Sequence, residues 1–185
     1  MFGALFKSTG DTFGHLQPPF IYPGNLAPPG ENMEVREIKL KPMRIVSFHA
    51  LGTSPEKDAW DKLFAWAKPL GMIKPETRFF GFNNPCPGHG KPEYGYEVWM
   101  TVDKGFADEK MKVKDFPGGN YLVTRVEVPK GDFEVIGRAW RNLVAHQKRN
   151  GYKCAHNLCL EESVRTDRKD LEFILDLYHP VVPKE

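Results

Sequence analysis

Three short stretches place acids beside aromatic or sulfur-bearing side chains at strand spacing. They are Glu97-Val98-Trp99, Asp176-Leu177-Tyr178 and Cys159-Leu160-Glu161-Glu162. In a strand, residues two apart share a face, so Glu97 stands with Trp99 and Asp176 with Tyr178. Carboxylates among rings suit a flat organic cation. The rings offer stacking and cation–π attraction, and the carboxylate offers countercharge. A carboxyl group lodged among rings also has a raised pKa, which fits it for acid–base chemistry. Solvated strand faces carry the same residue types, so alternation alone leaves both readings open.

Other constellations carry less. Cys86-Pro-Gly-His89 and Cys154-Ala-His156-Asn-Leu-Cys159 have zinc-ligand residue types but no CxxC pair, so no metal is expected. Cys159 reads as a small buried hydrophobe. His146 and His156 have no serine or cysteine elbow nearby. Gly118-Gly119 lacks the strand and helix that flank a dinucleotide site, so it reads as a turn and no cofactor is implied.

The elements that must hold the acids follow from period and punctuation. Met43 to Ala50, Arg78 to Phe82 and Tyr94 to Val102 read as strands of a first half. Between the first two, Ser54 offers a helix cap, Pro55 the first helical position and Glu56 an acid at the positive end of the dipole. Trp60, Leu63, Phe64 and Ala67 then fall on one apolar face, and Gly71 ends the helix. The second half repeats this programme. Lys110 to Lys114, Tyr121 to Val128, Leu158 to Val164 and Leu171 to Tyr178 read as strands. A helix capped by Asp132 carries Ile136, Trp140, Leu143, Val144 and Gln147, and stops at Gly151.

The halves also match residue by residue. Residues 59–71 (AWDKLFAWAKPLG) and 139–151 (AWRNLVAHQKRNG) are identical at six of thirteen positions at an offset of 80. Chance would give about one, so an internal repeat is the better account. One strand–helix–strand–strand unit is too small to cover its own apolar faces. Two side by side form an antiparallel sheet with both helices on one face. The expected fold is therefore α+β, with duplicated units and a ligand groove on the face away from the helices. Taking Tyr96, Val98, Met100 and Val102 as helix-side core, with Leu158, Leu160, Leu175 and Leu177, puts Glu97, Trp99, Glu161, Asp176 and Tyr178 on that groove. Glu162 falls on the helix side as the register alternative.

Composition is that of a globular chain: 185 residues, 41% hydrophobic and 27% charged, with three cysteines. A net charge of +2 does not suggest nucleic acid or a membrane as partner. No signal peptide is legible and no apolar run reaches spanning length, so a cytoplasmic location is expected by default. Residues 1–33 are rich in Gly and Pro and carry Phe2, Phe6, Phe13, Phe20 and Tyr22. They read as an arm that packs on the domain or pairs two copies into a homodimer.

The segments ALGTSPEKDAWDKLFAWAKPLG, FFGFNNPCPG, PEYGYEVWMTV, FPGGNYLVTRVEV, AWRNLVAHQKRNGY and CLEES resemble the GyrI-like, or bacterial effector-binding, domain family over about residues 34–182. The resemblance implies the duplicated fold, with repeats at about 34–104 and 105–182. It also implies a central groove with a key glutamate, carried over to Glu161, or Glu162 in the other register. YEVW brings Glu97 and Trp99. Some stand-alone members of the family resemble hydrolases of cyclopropane-bearing compounds. These pair the glutamate with a tyrosine, for which Tyr121 and Tyr178 are the candidates here. Three functions follow as expectations: a binder of planar or cationic small molecules, a hydrolase with Glu161 as general base, and a protein inhibitor of gyrase type.

Overall fold

A computed structural model describes residues 33–86 and 92–184. The elements are β1 (Arg36–Leu40), β2 (Met43–Gly52), α1 (Glu56–Ala67), β3 (Phe79–Asn83), β4 (Tyr94–Val102), β5 (Val113–Phe116), β6 (Gly119–Pro129), α2 (Glu134–Arg149), β7 (Leu160–Val164) and β8 (Leu171–Pro180). The expected arm falls almost wholly within residues 1–32, and His89 within 87–91, outside the described residues.

All eight strands form one antiparallel sheet in the order β1-β6-β8-β7-β3-β4-β2-β5. Each half lends its first strand to the other: β1 pairs with β6, and β5 pairs with β2. This exchange shapes the molecule. β1 and β2 lie six strand spacings apart in the sheet order, about 29 Å if the sheet were flat. Leu40 and Met43, at their adjoining ends, are joined by two residues and can be no more than about 10 Å apart. The β5–β6 link between Phe116 and Gly119 spans the same six spacings. The sheet therefore curls until its ends meet. The two links cross at Gly118, where φ is 77° and an added Cβ would lie 2.1 Å from the Leu40 carbonyl oxygen. Only glycine fits there.

Curling gives the sheet two filled faces. The outer face carries α1 over β2 and β4, and α2 over β6 and β8. Val46, Val98 and Met100 of the sheet pack against Leu63 of the first helix, and Leu122, Leu175 and Leu177 against Leu143 of the second. The inner face holds a third cluster of Leu40, Ile45, Phe80, Phe82, Trp99, Phe116, Tyr121, Val123, Leu160 and Tyr178. The α+β class with helices on one side is as expected. The inner face differs from expectation: it is a core and not an open groove, because strand exchange rolls the sheet around it.

Helix ends agree in stop and differ in start. Gly71 and Gly151 adopt φ of 62° and 70°. Met72 N–H donates to the Ala67 carbonyl, and Tyr152 N–H to that of Gln147, so the two stops are built alike. At the starts, Pro55 and Phe133 take the cap positions without a side-chain cap bond. Asp132 instead accepts from Arg138 at 3.2 Å.

Candidate functional site

The sheet's register fixes which face each acid occupies, since directly paired residues point the same way. Glu97 pairs with His49 and Asp176 with Glu162, and Trp99 and Tyr178 lie in the inner cluster. Glu97, Trp99, Asp176 and Tyr178 thus share the inner face, as alternation predicts, but they are buried there and their polar groups are engaged. Burial works against ionisation of Glu97. Bonds from Lys114, Ser47, Trp99 Nε1 (2.7 Å) and Asn84 Nδ2 (2.7 Å) outweigh it and hold the pKa at about 2. Asp176 takes a two-pronged bond from Arg125 (2.8 Å each) and a contact from Arg36 at 3.3 Å. Trp99 packs edge-on against Phe82, with ring centroids 4.8 Å apart.

β7 reverses the expected assignment. Leu160 is fully buried in the inner cluster, which turns Glu162 inward as well. Glu162 accepts from Arg78 at 2.6 and 2.7 Å and from the Tyr178 hydroxyl at 2.5 Å. Glu161 pairs with Leu177 and Gly81 and faces the helices. The expectation fails because both faces of this sheet are apolar, so the burial of Leu160 does not mark the helix side. Tyr121 also lies in the inner cluster, across the sheet from Glu161, with its hydroxyl unpartnered. Cys159 packs partly buried against the α2-side core, its Sγ 3.9 Å from His179 Nδ1.

Glu161 lies on the helix-facing side of the two middle strands. The backbones of α1 and α2 sit over β2 and β4 and over β6 and β8, and only side chains reach the strands between them: Trp60 and Phe64 meet Phe79 of β3, and Trp140 meets Glu161 of β7. From the α2 side, Trp140 Nε1 donates to Glu161 at 2.9 Å; from the α1 half, the Tyr96 hydroxyl donates at 3.1 Å. Burial pushes the Glu161 pKa up, these two bonds pull against it, and the negative charge of Glu56 adds to the rise. Trp60 and Phe79 line the α1 side, with ring centroids 6.3 Å apart.

The site is asymmetric on a symmetric frame. Gly81 and Glu161 are 80 residues apart, the offset of the helix match, and they pair directly across the β3–β7 seam. The first half has no side chain where the second has a carboxylate. Tyr96 fills that space: a Cβ on Gly81 would lie 2.1 Å from its hydroxyl oxygen. Gly81 thus lets Tyr96 reach across the seam to Glu161. Alternation had assigned Tyr96 to the helix side without singling out its hydroxyl, which meets Glu161 only through the long-range β3–β7 pairing.

No helix among the described residues is long and apolar enough to cross a membrane. Comparison with known proteins agrees with this architecture. The chain is 26% identical over 156 residues to a DNA gyrase inhibitor of Escherichia fergusonii, covering 80% of this chain and 98% of that one. The C-terminal domain of EcmrR superposes with a TM-score of 0.60 at 13% identity, over 81% of this chain and 98% of that one. SAV2435, solved bound to tetraphenylphosphonium, superposes with a TM-score of 0.54 at 12% identity, over 82% of this chain and 94% of that one. The Cass2 model, described as integron-associated effector binding protein, matches residues 38–181, and the chain belongs to that family.

Proposed function

We propose that this protein holds a small, flat, positively charged organic molecule on the helix-facing side of the sheet between α1 and α2, with Glu161 as its counter-ion. One observation carries the reading. Among the described residues, Glu97, Glu162 and Asp176 each have a lysine or arginine partner, whereas Glu161 is held by the neutral donors Trp140 and Tyr96. A partly buried carboxylate without a cation is electrostatically incomplete, and aromatic walls suit a cation that would complete it. Tetraphenylphosphonium, a tetrahedral rather than a flat cation, is the first probe of the charge and aromatic contact, since a protein of the same fold has been solved with it. Titration should change the fluorescence of Trp60 and Trp140. Glu161→Gln should weaken binding roughly tenfold or more, about 1.4 kcal/mol. Unchanged affinity in a folded Glu161→Gln protein would refute the assignment.

A second reading has its own support. Glu161 has a raised pKa and a tyrosine hydroxyl at 3.1 Å, the pairing a general base needs. In that reading Glu161 takes a proton from water, whose oxygen bonds to a carbon of a strained three-membered ring as the ring bond breaks; the electron pair of that bond passes to the other ring carbon, or to an electron-withdrawing group it bears, and the proton held by Glu161 is returned there, so that the elements of water are added and the carboxylate is regenerated. The tyrosine is then Tyr96 and neither Tyr121 nor Tyr178. Mass-spectrometric detection of the water adduct, lost in Glu161→Gln, would establish turnover; its absence across cyclopropane substrates leaves the binder. The gyrase-inhibitor relative brings a third reading, which a supercoiling assay with excess protein decides.

A further inference from the structure

The helix-facing side carries a second carboxylate without a cation among the described residues. Glu56 lies half-buried in the first turn of α1 and accepts from the Tyr94 hydroxyl at 2.6 Å. Tyr94 and Tyr96 are two apart on β4 and share the helix-facing side. The two tyrosines therefore hold two carboxylates, Tyr94 on Glu56 and Tyr96 on Glu161. Neither carboxylate has a lysine, arginine or histidine partner among the described residues. They are near enough to act on each other: the negative charge of Glu56 disfavours ionisation of Glu161, and burial pushes both pKa values up. Trp60, one turn beyond Glu56, lies over Phe79 of β3, so an aromatic surface adjoins both acids. At the position matching Glu56 in α2 stands Ile136, and opposite Glu161 stands Gly81. Both unpaired charges are therefore departures from the internal symmetry, made on one side of the sheet.

We propose that this site selects a ligand with two positive centres on one flat skeleton, one facing Glu161 and the other Glu56. This rests on the cation-binding reading above and narrows its ligand class. A monocation neutralises one carboxylate and leaves its neighbour uncompensated and partly desolvated; a dication neutralises both and removes their mutual repulsion.

Two probes separate these cases: methyl viologen, and N-methyl-4-phenylpyridinium, which has the same two-ring skeleton with one charge. Calorimetric titration at mildly alkaline pH should find the dication bound roughly tenfold tighter or more. Glu56→Gln should abolish that preference while retaining monocation binding, Glu56→Asp should keep it, and Glu161→Gln should weaken both probes. Equal binding of the two probes to wild type, or a preference that survives Glu56→Gln, would overturn the dication proposal and leave the cation reading standing. If neither these probes nor tetraphenylphosphonium bind, the cation reading falls with it.

Discussion

The two faces of the sheet use carboxylates in opposite ways. On the inner face, Glu97, Glu162 and Asp176 each meet a lysine or arginine beside the buried aromatic and aliphatic cluster. On the helix face, the partners of Glu161 and Glu56 among the described residues are tyrosine hydroxyls and an indole N–H. The first arrangement completes the charge balance inside the fold, and in the second no cation among the described residues does so. Burial alone does not mark a functional acid; what its charge is paired with does.

The largest expected effect comes from breaking the inner face. Glu97→Ala strips the partner from Lys114, Ser47, Trp99 and Asn84 together, and should cost about 3 kcal/mol in urea unfolding. A loss below about 1 kcal/mol would mean that water replaces the carboxylate, and that the inner face is more open than its burial implies. Gly81→Ala comes next. It places a methyl group against the Tyr96 hydroxyl at the seam, which should cost about 2 kcal/mol and displace Tyr96 from Glu161. Tetraphenylphosphonium affinity should fall with it, and a variant that binds like wild type would remove Tyr96 from the site. The smallest effect is the most diagnostic. Glu161 has a raised folded pKa, so its contribution is full below its ordinary value of 4.5 and is lost as pH rises through the folded value. Glu161→Gln escapes that loss. Its Tm should match wild type below pH 4.5 and exceed it increasingly as pH rises from there toward the folded value, whereas a difference that shrinks with rising pH would contradict the raised value. Glu97 works with the opposite sign: its contribution is present above 4.5 and is lost as pH falls toward about 2.

Local pattern made much of this legible. The span Tyr94–Val102 follows from alternation to the residue, and Gly71 and Gly151 mark both helix ends. Alternation also placed Glu97 with Trp99 and Asp176 with Tyr178. What it could not supply was the side on which β7 presents Glu161. Alternation separates two faces but does not label them, and here Leu160 is buried on one face and Leu177 on the other. The label depends on β1 pairing with β6 and β5 with β2, contacts that leave no local trace. The tyrosine of the site escaped for a related reason. Tyr96 reads as an ordinary core residue until Gly81 is set beside it by strand pairing.

The strand exchange also bears on how this chain reaches its native state. Because β1 completes the second half and β5 the first, neither half can finish its sheet before the other is present. An isolated half would expose an unpaired strand edge along β2 or β6. Folding should thus be slow for a chain of this size and unified into a single cooperative event, since its decisive pairings join residues far apart in sequence. The same edges are where two nascent chains could trade strands, so dilution during refolding should favour strand exchange within one chain.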